Sequence, residues 1–196
     1  MNHFEVFGLP RKLGIDTVEL QRKFYELSRR WHPDFHQAAP PAEQARALEA
    51  SARLNAAYRT LRDPVARVEY LIRLEEGRAP EAAATGKPKA PPDLLEEMFE
   101  IQEALAEAKA GGLDEAGRRR LAAERERLLG RFRDEEARLV GPLAAAWDAG
   151  DAAERRRILV ACKQALATRA YLRTVIDDLT EALGESQEGH VTHRRH

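Results

Sequence analysis

Sixteen residues near the middle of the chain, GRAPEAAATGKPKAPP at positions 77–92, limit its architecture more than any other stretch. Four prolines and two glycines with no large apolar side chain cannot carry a helix and give a strand nothing to bury. The stretch reads as a linker, so each flanking part has to build its own core. The 196 residues therefore divide into an N-terminal domain at 1–76, the linker, a C-terminal domain at 93–184 and a frayed tail at 185–196. Both domains carry apolar residues at helical spacing and neither carries a defensible strand, so an all-α fold is expected.

In the N-terminal part, Phe4, Val6 and Phe7 form a short apolar patch closed by Gly8-Leu9-Pro10. Asp16 with Glu19 has the spacing of a capping box, which starts a helix whose face is Leu20, Phe24, Leu27 and Trp31. Pro33 disfavours helical geometry at His32 and stops that helix. After Pro40-Pro41 a second long helix runs through Leu54, Tyr58 and Leu61. Asp63-Pro64 then ends it and opens a shorter one bearing Val65, Val68, Leu71 and Ile72. The result is a helical hairpin whose loop contains His-Pro-Asp.

The C-terminal part reads as an antiparallel three-helix bundle. Asp93 with Glu96 opens its first helix, which stops at Gly111-Gly112. Asp114 starts a longer one with a kink expected at Gly141-Pro142. Asp151 with Glu154 starts the last, carrying Ile158, Cys162, Leu172, Ile176, Leu179 and Leu183. The arginine triplets 118–120 and 155–157 read as solvated faces, and Cys162 as a buried structural thiol.

Charge and composition remove several function classes. A net charge of −1 gives no bulk electrostatic case for nucleic acid or an anionic membrane surface. A single cysteine excludes an internal disulfide and a multi-cysteine zinc cluster. No apolar run approaches a membrane span and no secretory signal is apparent, so a cytoplasmic location is expected.

The loop RRWHPDFHQ at 29–37 holds the residues with the most chemistry. His32 and His36, four apart, would share a metal only on one continuous helix face, which Pro33 interrupts. His32 as a base oriented by Asp34 lacks a neighbouring nucleophile. No metal site, catalytic group or cofactor is therefore assigned. A rigid polar turn that follows a helix carrying Arg22, Lys23, Arg29 and Arg30 suits docking of an acidic partner, although solvation is the ordinary fate of such charges.

Residues 1–75 resemble a J-domain: an apolar-lined helix, then His32-Pro33-Asp34, then a helix containing LNAAYRTLRDPVARVEYL at 54–71. With the opening HFEVFGLP and the C-terminal bundle, the chain resembles the HscB family of iron–sulfur co-chaperones. The resemblance implies a non-enzymatic protein that stimulates the ATPase of a DnaK-type, HscA-like chaperone through His32, Pro33 and Asp34, with the basic helix steering docking. It also implies delivery of the iron–sulfur scaffold protein IscU by the bundle. The alternative is a general J-domain co-chaperone whose bundle binds another client or dimerises. Two departures stand out: Phe35 follows the tripeptide where many J-domains have lysine, and no cysteine-rich segment precedes the domain, which points to a bacterial source.

The helix DLLEEMFEIQEALAEA at 93–108 offers a place for the scaffold. Leu94, Met98, Ile101 and Leu105 make a sufficient core stripe, and Leu95 and Phe99 lie about 100° around from it among glutamates. An apolar pair rimmed by carboxylates is a partner site unless the bundle is wide enough to bury both stripes. The resemblance places scaffold binding on this helix, which matches Leu95, Glu96, Phe99, Glu100 and Glu103, with Tyr171 contributed by the last helix. Glu96 stands where several relatives have an apolar residue, so a smaller patch is expected.

Overall fold

The computed structural model describes residues 1–77, 95–112 and 114–184, without the side chains of 96–98 and 108–111. Every regular element among the described residues is helical. Contacts gather them into two units, one within Met1–Ala84 and Arg138–Cys162, the other within Thr85–Ala137 and Lys163–His196. The linker beyond Gly77, the Asp93–Glu96 cap, the Leu94 and Met98 half of the core stripe and the C-terminal tail lie outside the described set.

The first unit begins with α1 (His3–Val6), capped by Asn2 and Glu5 in a reciprocal capping box. Gly8 then turns the chain with φ +60°, a conformation that glycine adopts without strain. The apolar opening is used as expected, with Phe4 and Phe7 buried. The His3 amide donates to the Tyr70 hydroxyl at 2.8 Å and the two rings stack at 4.2 Å.

Helix α2 (Thr17–Trp31) starts where the Asp16 carboxylate accepts the Val18 and Glu19 amides. Only this half of the expected box forms, because Glu19 turns to Lys23 at 3.3 Å instead. Helix α3 (Pro41–Arg62) packs on α2, with Phe24 stacked against Tyr58 at 4.1 Å and Leu20, Leu54 and Leu61 buried. Asp63 accepts the Ala66 amide at 2.8 Å to cap α4 (Pro64–Glu75), whose Val65, Val68, Leu71 and Ile72 are buried.

Two further residues of α4 are buried against expectation from the apolar stripe: Tyr70 and the charged Arg67. The Arg67 guanidinium donates to the Leu61 carbonyl at 2.8 Å and to the Leu13 carbonyl. The Leu13 and Gly14 amides in turn donate to the two Asp148 oxygens, each at 2.7 Å. Burial pulls the Arg67 pKa down, and the Asp148 and Asp63 carboxylates oppose that pull.

This clamp helps explain why 138–162, grouped by sequence with the C-terminal part, gathers with the N-terminal helices. The expected kink at Gly141-Pro142 is a π-helical turn at Leu139–Leu143, since Pro142 has no amide to give the helix ladder. It leads into α7 (Ala144–Ala149), which places Asp148. Arg155 donates to the Trp147 carbonyl at 3.0 Å and lies over its ring, so it pins α7 rather than facing solvent. Cys162 is buried as expected, and burial raises its thiol pKa against the opposing charge of Arg138.

The second unit is built from α5 (Leu95–Gly111), most of α6 (Glu115–Arg138) and the later turns of α8 (Ala152–Ala182). Its core joins Ile101 and Leu105 to Leu121 and Leu128 and to Leu172, Val175, Ile176, Leu179 and Leu183. Gly112, at φ +77°, follows α5, and Asp114 caps α6 by accepting the Gly117 amide at 2.7 Å. The first arginine triplet is exposed as expected, and one of its members, Arg118, also donates to the Leu183 carbonyl at 3.0 Å. Arg169 lies over the Phe132 ring at 4.2 Å and pairs with Glu136 at 2.7 Å.

Candidate functional site

The tripeptide occupies a short turn that its proline imposes. Trp31 is the last residue of α2; His32 is extended, with φ −67° and ψ 128°, as the residue before a proline prefers. Pro33–His36 then form one turn of 3₁₀-helix, closed by the Phe35 amide on the His32 carbonyl at 3.0 Å. His32 Nδ1 accepts the Asp34 amide at 3.3 Å, and the Asp34 carboxylate accepts the Gln37 side-chain amide at 3.4 Å. Both side chains remain exposed. Local bonds thus fix the histidine and aspartate while leaving their outer edges open to another molecule.

The second histidine turns the other way. His36 Nε2 meets the Arg30 carbonyl at 3.0 Å, Nδ1 faces Glu43 at 3.5 Å, and the ring stacks with Trp31. His32 and His36 therefore differ, the first exposed and the second turned back onto the end of α2 and the start of α3. Among the described residues no group of three or more histidine, cysteine, aspartate and glutamate side chains could hold a metal ion.

The four basic residues of α2 also separate. Arg22 pairs with Glu26 at 2.7 Å on the surface and Arg30 lies over the Trp31 ring. Lys23 is turned inward and donates to the Phe7 carbonyl at 3.1 Å, so its role in the fold is to hold the segment after α1. Arg29 is exposed and, among the described residues, its side chain has no ion pair or hydrogen bond. With Tyr25, Ser28, His32 and Phe35 it lines a groove of about 160 Å³. Sequence reasoning passed over Tyr25; its position off the Leu20-Phe24-Leu27 stripe is the signal that places it outside.

On α5 the two stripes are resolved. Ile101 and Leu105 are buried, whereas Leu95 and Phe99 are 55% and 73% exposed. Glu100 and Glu103 are exposed beside them, and the Glu96 side chain lies outside the described set. The second unit therefore does not bury the second stripe. Tyr171 is half-buried and packs against the core that contains Ile101 and Leu105.

Residues 2–70 match the DnaJ domain family. The chain is 33% identical over 183 residues to a protein from Azoarcus sp. described as a co-chaperone protein HscB homolog, covering 93% of this chain and 95% of that protein. It is 39% identical over 110 residues to a protein of the same description from Ralstonia nicotianae, a match to 56% of this chain and 61% of the relative. Among solved structures, chaperone HscB from Vibrio cholerae superposes with a TM-score of 0.60 at 23% identity, covering 94% of this chain and 99% of that one. The human co-chaperone protein HscB does so with a TM-score of 0.59 at 22% identity, covering 92% and 81%. These two structures share the fold.

Proposed function

This chain belongs to the HscB family of J-domain co-chaperones, and from that premise we propose that it stimulates a DnaK-type, HscA-like chaperone and brings it the iron–sulfur scaffold protein IscU. The observation that carries the first half is the turn at 32–36, where the Asp34 amide holds the His32 ring and Gln37 holds the Asp34 carboxylate, with their outer edges exposed. A partner that docks there meets a preorganised pair, so little ordering entropy opposes the contact. Arg22, Arg29 and Arg30 add positive charge beside it, which favours encounter with an acidic surface. The chain performs no bond-making step of its own in this reading; hydrolysis occurs on the chaperone.

For the scaffold, Leu95 and Phe99 supply an exposed apolar pair beside Glu100 and Glu103. Glu96 and Tyr171 complete the proposed contact set. Function then follows the linear order, with 1–76 engaging the chaperone, 77–92 linking and 93–184 holding the scaffold, while 138–162 also braces the first unit. Holding both partners on one chain raises the concentration of scaffold near the chaperone as hydrolysis is triggered.

The test uses the purified chain with its cognate chaperone. Asp34→Asn is expected to abolish ATPase stimulation while leaving the helical circular dichroism spectrum unchanged. Stimulation equal to that of the unmodified protein would refute the assignment.

A further inference from the structure

Phe35 and His36 are neighbours in the turn, yet their environments invert the usual rule. The Phe35 side chain is 74% exposed, while the His36 side chain is only 18% exposed. Neighbours in a 3₁₀ turn point about 120° apart, so when one faces the protein the other faces out. The inward position adjoins the Arg30 carbonyl at the end of α2 and the Glu43 carboxylate on α3, and imidazole can hydrogen-bond there where a phenyl ring cannot. His36 thereby leaves the aromatic ring outside, next to the His-Pro-Asp tripeptide.

The ring does not stand alone. It meets the His32 ring edge-on at 6.0 Å and shares the 160 Å³ groove with Tyr25, also exposed, Ser28 and Arg29, whose side chain is unpaired among the described residues. The groove is well below the size of a small-molecule pocket and suits a single side chain. Two aromatics and an arginine around one pocket match the residue types enriched at protein interfaces. The positive charge of Arg29 is complementary to an acidic neighbour of whatever side chain enters.

We propose that Phe35 is an apolar anchor for chaperone docking, and that the chaperone inserts an aliphatic side chain flanked by a carboxylate into the groove of Tyr25, Arg29, His32 and Phe35. This rests on the preceding assignment of the turn as the chaperone contact, and it adds what the partner must present. A lysine at this position would offer a second cation; here the contact is apolar, with Arg29 as the cation. Such a contact depends less on salt at Phe35 than at Arg29.

The experiment titrates the cognate chaperone's ATPase with full-length variants and reads two quantities, the maximal stimulated rate and the concentration giving half of it. Phe35→Ala is expected to raise the half-maximal concentration about tenfold while the maximal rate persists, because His32 and Asp34 are untouched. Phe35→Met is expected to restore most of the affinity and Phe35→Lys not to do so. Arg29→Gln is expected to raise the half-maximal concentration more at low salt than at high salt. Thermal midpoints report folding, and an exposed Phe35 predicts that they stay unchanged.

An unchanged half-maximal concentration for Phe35→Ala, or full recovery with Phe35→Lys, would overturn the anchor. Loss of self-association in Phe35→Ala, seen by sedimentation with no effect on the chaperone, would assign the groove to a second copy and also overturn it. Asp34→Asn in the same assay separates the two levels. If it retains full stimulation, the chaperone reading itself fails; if it loses stimulation while Phe35→Ala behaves as the unmodified chain, only the anchor fails.

Discussion

The turn at 32–36 and the face of α5 are the two proposed partner surfaces, and the fold makes them by different means. In the turn, one proline ends a helix, and backbone-directed bonds orient His32 and Asp34 within five residues. On α5 the backbone is an ordinary helix, and the site consists of what the core does not consume. Ile101 and Leu105 face inward, which leaves Leu95 and Phe99 outside. A site of the first kind depends on local geometry and is sensitive to single substitutions that alter it. One of the second kind depends on area and loses affinity in proportion to the side chains removed.

The largest expected effect lies in the turn. Pro33→Ala frees His32 for helical geometry, lets α2 run on and should abolish chaperone stimulation. Circular dichroism should show helicity kept or slightly raised. Unaltered stimulation would break the distinction drawn above, because the turn geometry would then be irrelevant.

Next in size, Leu95→Ala with Phe99→Ala should weaken scaffold binding by about 2–3 kcal/mol, read by calorimetry. Both residues are exposed, so stability should change by no more than about 0.5 kcal/mol. Unchanged affinity with intact folding would remove the α5 face from the account.

A comparable change in stability, without direct removal of any group at either surface, is expected from the clamp. Asp148→Ala leaves the Leu13 and Gly14 amides without their acceptor and removes a carboxylate facing the buried Arg67. A loss of about 2–3 kcal/mol in urea unfolding follows. Stimulation measured well below the melting temperature should persist. The smallest effect is Tyr70→Phe, which removes one bond from the His3 amide and should cost about 1 kcal/mol.

What could be read from sequence follows the same division. The caps at Asp16, Asp63, Asp114 and Asp151, the stop before Pro33 and the buried face of α4 involve residues within a few positions of one another. Local rules describe them. The Arg67–Leu13 and Leu13–Asp148 bonds join residues 54 and 135 positions apart, and no local pattern marks them. For the same reason Lys23 looked like part of a basic surface, while its amine is held by the Phe7 carbonyl sixteen positions earlier. On α5, periodicity separated the two stripes, but only packing could decide that one of them stays outside.

The central claim is that the turn triggers the chaperone and the α5 face recruits the scaffold, as separable functions of one chain. It is tested most directly by single-turnover ATP hydrolysis on the cognate chaperone, with the co-chaperone added alone or together with the scaffold. Asp34→Asn should give no stimulation in either condition. The Leu95→Ala/Phe99→Ala variant should stimulate normally alone and lose only the increment that the scaffold adds. Normal stimulation by Asp34→Asn, or a full scaffold increment with the α5 variant, would contradict the account.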